Sequence, residues 1–284
     1  MNENKTNINW YPGHMAKTKR QVKENIKLID VIYEVIDARI PKSSKIKDIE
    51  DIVKDKPRIL IMTKKDLCDL EVTNKWVKYY ESLGIKVLLM DLTNNHDYKK
   101  LITLTEEVTR PLQEKRISNG LKKKEIKALV IGIPNVGKST LINKLAGKKV
   151  AGVGNKPGIT KQINWLKSNN ILLMDTPGIL WPKLDDNEVA LNLASTGSIK
   201  MEVLDINDIG IYLISFYKNN YPNILKDIYK VEVKEDPIDI MSLIAIKMGA
   251  IKNDEFDAEK VSLRLYNDIM SGKIKGVTFD QWKK

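Results

Sequence analysis

Two stretches decide how this chain is read: "LVIGIPNVGKSTL" at residues 129–141 and "RILIMTKKDL" at residues 58–67. In the first, Gly132, Gly137, Lys138 and Ser139 satisfy G-x-x-x-x-G-K-[ST] between a strand-type run (127–131) and a helical one (138–146). Glycines there let the backbone wrap phosphate oxygens, and the helix N-terminus adds free N–H groups and a positive dipole end. Candidate phosphate contacts are therefore Asn135, Val136, Gly137, Lys138, Ser139 and Thr140. Lys138 would reach the β- and γ-phosphates, and the Ser139 hydroxyl would ligate Mg²⁺. The loop alone does not choose between adenine and guanine.

The second stretch supplies that choice. "TKKD" (63–66) follows a strand, at the sheet edge where α/β folds bind ligands. Asp66 can accept hydrogen bonds from guanine N1–H and the 2-amino group. Adenine would leave it unpaired, which such a site rejects strongly. Thr63 opens the motif, and Lys64 is expected to lie over the base and brace the phosphate loop. A K-x-D pattern is common in a lysine-rich chain, but the residues after Gly178 hold no such motif after a strand.

"MDTPG" (174–178) adds a strand-end carboxylate, Asp175, suited to hold Mg²⁺ through water, and Gly178, whose N–H suits a γ-phosphate. D-x-P-G is also an ordinary turn; its spacing from the phosphate loop favours the functional reading. Thr160 in "KPGITKQ" (156–162) is either a Mg²⁺ ligand in a segment that orders with triphosphate or an ordinary loop threonine.

The elements thus run base reader first, phosphate loop second. Strand ends assemble such a site, so their chain order is free once the old termini are joined and new ones opened. Strands expected at 31–37, 58–62, 85–90 and 127–131 alternate with helices at 15–29, 70–83, 98–110 and 138–146, which gives a mostly parallel α/β sheet. Pro111 should end or kink the third helix. Two strands should form a hairpin around "KSNN" (167–170). Beyond about residue 180 only helical periodicity shows, at 187–198, 207–218, 238–249 and 257–271, with no clear strand. The expected organisation is a nucleotide-binding domain over 1–180 and an all-α domain over 181–284.

The formal charge of +11 favours a polyanionic partner, although a lysine-rich proteome gives the same balance. No apolar run reaches the ~20 residues of a membrane helix, and the N-terminal stretch does not read as a secretory signal. A single cysteine, Cys68, fits a reduced compartment, so a cytoplasmic protein without membrane attachment is expected.

The element order, together with "WYPGHMAK" (10–17), "DARIP" (37–41), "GIPNVGKSTLIN" (132–143), "PGIT" (157–160) and "DTPGILWP" (175–182), resembles the circularly permuted GTPases of the YlqF type, the ribosome biogenesis GTPase A family. The resemblance spans nearly the whole chain. It implies a circularly permuted P-loop GTPase domain followed by an all-α domain that contacts rRNA. It implies a GTP/GDP cycle serving late assembly of the large ribosomal subunit, with subunit precursor and rRNA as partners and a monomer off the ribosome. A guanine-nucleotide-regulated RNA scaffold with negligible turnover is the alternative. The chain departs from the family pattern at Thr63, where Asn is usual, and at Asp91-Leu92, where Ser-Ala is common and backbone N–H groups meet guanine O6. Ile179 occupies the place of the water-orienting glutamine of Ras-like enzymes. The resemblance assigns water activation to His14, which on its own reads rather as a helix-entry residue that caps or packs, with Lys138 and Thr160 completing the catalytic set. It also assigns a K⁺ to Asn135, which otherwise reads as a loop stabiliser.

Overall fold

The computed structural model describes residues 8–9, 20–47, 49–53, 56–147, 164–168, 170–178, 183–184, 186–200, 203–252 and 255–282. Its centre is a six-stranded sheet of β2 (Val31–Asp37), β3 (Arg58–Thr63), β4 (Lys86–Leu89), β5 (Ile126–Ile131), β6 (Asn164–Ser168) and β7 (Ile171–Asp175). The spatial order is β4-β3-β2-β5-β7-β6, parallel except for the β6–β7 hairpin. β2 lies mid-sheet and is buried along its whole length, including Glu34 and Asp37. From β2 the chain steps outward through β3 to β4. It then returns along a long helix to β5 on the other side of β2, so the β2–β5 junction is the topological switch point. The register sets Asp37 beside Thr63 and Val130 beside Asp175, which places the candidate residues on one sheet edge.

The described helices are α1 (Glu50–Val53), α2 (Leu70–Ser82), α3 (Asn95–Ser118), α4 (Lys138–Ala146), α5 (Asn187–Ser195), α6 (Ile206–Asn220), α7 (Pro237–Met248) and α8 (Ala258–Met270). Asp186, Asp205, Asp236 and Asp257 cap α5 to α8, each accepting a backbone N–H of the first turn. An Asp side chain there satisfies donors the helix itself leaves open. The four helices pack together, and their apolar faces are continuous with the core under the sheet.

Three expectations need correction. Pro111 does not end its helix: it lies inside α3, which runs on to Ser118. The carbonyl one turn back belongs to Glu107, on the exposed side, where solvent can meet it. Short strands do occur beyond residue 180: β8 (Lys183–Leu184) pairs with β1 (Ile8–Asn9), and β9 (Ile251–Lys252) with β10 (Glu255–Phe256). Two-residue strands are too short to leave a periodic signal. The expected helix over 15–29 is helical up to Asn25 within the described residues and tightens to a 3₁₀ turn at Ile26–Leu28, with Val22, Ile26 and Ile29 buried as the pattern required.

Candidate nucleotide-binding site

β5 runs directly into the glycine loop, and α4 begins at Lys138 behind Gly137, whose φ of 95° is left-handed. Asn135 is left-handed too, at φ 61°. These two residues bend the loop back on itself, which turns successive N–H groups inward. Lys138 is buried, and its ammonium donates to the Ile133 carbonyl at 2.7 Å. Burial pushes the lysine pKa down, opposed by Asp175. Burial pushes the Asp175 carboxyl up, opposed by Lys138. Phosphate oxygens beside the lysine and a cation beside the carboxylate would each restore the charged form.

Asp175 Oδ1 is buried with no hydrogen-bond partner. Such an atom is costly unless something polar meets it. Among the described residues no cluster of three His, Cys, Asp or Glu side chains exists. Mg²⁺ needs no such cluster: it keeps several waters and takes one or two protein oxygens plus phosphate. Ser139 and Asp175 are the described residues that would hold it. Gly178 presses on the loop: a Cβ there would stand 2.7 Å from the Pro134 nitrogen, so only glycine permits this approach.

At the other end of the site, Thr63 is fully buried, and its hydroxyl lies 2.6 Å from the Val136 carbonyl and 3.1 Å from that of Ile36. The departure from Asn thus retains a side chain that ties β3 to the phosphate loop. Thr63 makes a tie of the kind expected of Lys64. Lys64, at φ 60°, turns its ammonium to Asp37 at 2.8 Å. Asp37 also takes a two-pronged bond from Arg39, at 3.1 and 2.8 Å. Burial alone would raise the Asp37 pKa; the Arg39 and Lys64 charges outweigh it and hold the carboxyl well below its usual range. Asp66 is exposed on the loop that Lys64 begins. Asp91 N–H is committed to the Asp97 carboxylate at 2.9 Å. The neighbouring Leu92 turns its side chain toward Gly137.

Asn135 donates through its side-chain nitrogen to the Gly197 carbonyl just beyond α5, a direct tie from the phosphate loop to the C-terminal helices. A K⁺ would be held by the oxygen of the same carboxamide. His14, Thr160 and Ile179 lie outside the described residues. The motif reading of the sequence left the Asp37–Arg39 pair without a role. Its signal was a carboxylate at a strand end followed two residues later by a cation.

A glycine phosphate loop, a strand-end carboxylate and the Asp66 loop, gathered on one sheet edge in reversed chain order, are the arrangement of a circularly permuted P-loop GTPase domain. A protein-family profile described as 50S ribosome-binding GTPase matches residues 127–245. Ribosome biogenesis GTPase A of Priestia megaterium is 42% identical over 277 residues, 96% of each chain. The chain belongs to the ribosome biogenesis GTPase A family and is accordingly a GTPase. Two solved structures share the fold. GDP-bound TM YlqF has a TM-score of 0.68 at 23% identity, covering 92% of this chain and 99% of that one. GNP-bound YlqF from T. maritima has a TM-score of 0.63 at 24% identity, covering 93% and 98%.

Proposed function

We propose that this chain binds GTP with Mg²⁺, hydrolyses it to GDP and phosphate, and uses the cycle to time its association with a large-ribosomal-subunit precursor. The observation that carries this reading is the convergence of Asp66, the 132–139 loop and Asp175 on one sheet edge, although they are spread along the chain. Residues 135–140 cradle the phosphates. Asp66 and the Leu92 N–H read guanine, and Lys64 lies beside the base. Ser139, Asp175 and Thr160 hold Mg²⁺, and Asn135 a K⁺. Lys138 neutralises charge developing between the β- and γ-phosphates. His14, on family resemblance, orients the attacking water.

We further assign nucleotide binding to residues 1–180 and rRNA contact to 181–284. The Asn135–Gly197 bond supports a link between them. A nucleotide-dependent partner affinity requires that the two states bind the partner differently, and the partner must then shift GTP affinity by the same factor. Single-turnover GTP hydrolysis, with and without purified large-subunit particles, tests the reading. Parent protein should hydrolyse GTP faster on particles, and His14→Ala should bind GTP normally yet react roughly 10²-fold more slowly. Negligible turnover by the parent in both arms would leave a nucleotide-regulated scaffold instead. Equal rates for parent and variant on particles would remove His14 from the chemistry.

A further inference from the structure

Past α8 the chain leaves the helices. Residues 274–282 return to the nucleotide-binding region and run behind the base-reading loop. Gly276 N–H and Val277 N–H both donate to the Leu67 carbonyl, at 2.9 and 3.2 Å, one residue beyond Asp66. Asp69 N–H donates to the Thr278 hydroxyl at 3.1 Å, and that hydroxyl also meets Thr73 Oγ1 at 2.9 Å. Tyr221, at the end of α6, donates its hydroxyl to Asp69 Oδ2 at 3.0 Å and lies 3.3 Å from the Thr278 nitrogen. Phe279 N–H donates to the Arg39 carbonyl at 2.6 Å, and Arg39 grips the Asp37 that holds Lys64.

The segment is itself pinned. Asp280 is buried and accepts from the Lys42 and Ser43 backbone nitrogens at 2.7 Å each and from the Ser43 hydroxyl at 2.6 Å. Trp76 donates to the Asp280 carbonyl at 2.8 Å, and Trp282 packs edge-on against the Trp76 ring. The loop carrying exposed Asp66 is thus held from behind at Lys64, Leu67 and Asp69 by contacts that trace to residues 276–279.

We propose that the C-terminal strap, residues 274–282 with Tyr221, is the positioning element for guanine recognition, setting the Asp66 carboxylate against the base. This rests on the base-reader reading of Asp66. Positioning matters because a charged hydrogen-bond pair loses strength steeply with misalignment. It also gives the helical region a route to the nucleotide through the base, separate from Gly178 and the γ-phosphate.

The test uses the full chain with Tyr221→Phe and Thr278→Val combined, changes that keep shape and delete two hydroxyls. Dissociation constants are measured for GDP and for inosine diphosphate, which lacks the 2-amino group but keeps N1–H. A general loss of stability weakens both ligands alike; a misplaced Asp66 weakens GDP more. The parent should prefer GDP, and the double variant should lose roughly 5-fold or more of that preference. Tyr221→Phe alone, which removes a single oxygen, should show a smaller loss in the same direction and serves if the double variant does not fold. Asp66→Ala in parallel should abolish the preference. If Asp66→Ala abolishes it while the strap variants retain the parental ratio, the strap has no positioning role. If Asp66→Ala leaves the ratio unchanged, the base-reader reading falls and this inference with it.

Discussion

The two ends of the nucleotide site are built differently. The phosphate end is local: Gly132 to Ser139 follow one another on a strand–loop–helix, and loop geometry and helix N-terminus come from eight consecutive residues. The base end is composite. Asp66 stands on a short loop held by Asp37 and Arg39 from the neighbouring strand end, and by residues 276–279 from the end of the chain. The phosphate end is also largely buried, whereas Asp66 is exposed. A site can thus keep its phosphate grip through a rearrangement of chain order, because the loop and helix that make it are contiguous, and Thr63, Gly178 and Gly197 only brace it from outside. The Asp66 loop is held by several distant segments, so on the proposed reading base selectivity is open to the rest of the molecule in a way the contiguous phosphate loop is not.

Breaking the local end should cost most. Lys138→Ala deletes the ammonium facing the phosphates, and GTP turnover should fall by roughly 10²–10³-fold, the loss of one preorganised charge-stabilising donor. Single-turnover kinetics on folded variant measure it, and parental rates would mean this loop does not carry the reaction. Gly178→Ala puts a methyl 2.7 Å from the Pro134 nitrogen. Overpacking of about 1–3 kcal/mol should appear as weaker triphosphate binding, with GDP affected less. Equal losses for the two nucleotides would show that Gly178 does not sense the γ-phosphate.

Thr63→Val sharpens the comparison where the two ends touch. It strips the hydroxyl from the Val136 carbonyl and should weaken nucleotide binding by about 1–2 kcal/mol, read by titration calorimetry; parental affinity would show that the tie is idle. The smallest effect concerns pH. The Asp175 pKa is pushed up to about 6 by burial, against the pull of Lys138. Below that value the carboxylate is protonated and cannot support Mg²⁺. The Mg²⁺-dependent gain in GTP affinity should therefore shrink as pH falls through about 6 and be complete above about 7. A gain independent of pH across that range would remove Asp175 from the metal site.

Legibility in the sequence follows the same division. Residues 129–141 and 174–178 announced themselves because the chemistry needs fixed residue types at fixed spacing. The parallel sheet was legible from alternating strands and helices, and the four C-terminal helices from their periodicity. Lys64 was expected near the loop that Thr63 braces; its partner, Asp37, lies on another strand, and no local pattern reports which of several strand-end carboxylates a lysine will choose. The commitment of the Asp91 N–H to Asp97 was hidden for the same reason. The return of residues 274–282 onto the base-reading loop left no trace, because two backbone donors on one carbonyl carry no side-chain signature. Pro111 did not end α3 because propensity prices a proline against an unsupported helix, whereas α3 buries Leu101, Thr105 and Thr109, and Thr105 meets the Tyr33 hydroxyl of β2.

The central claim is that reversed chain order still yields one working guanine-nucleotide site, with Asp66 at its base end. The most direct measurement is the affinity of parent and Asp66→Asn protein for GTP and for xanthosine triphosphate, whose C2 oxo group suits an amide donor. The account predicts that the variant loses GTP affinity, gains xanthosine triphosphate affinity and so reverses the parental preference. An Asp66→Asn protein that binds GTP as tightly as the parent and still discriminates against xanthosine triphosphate would contradict it.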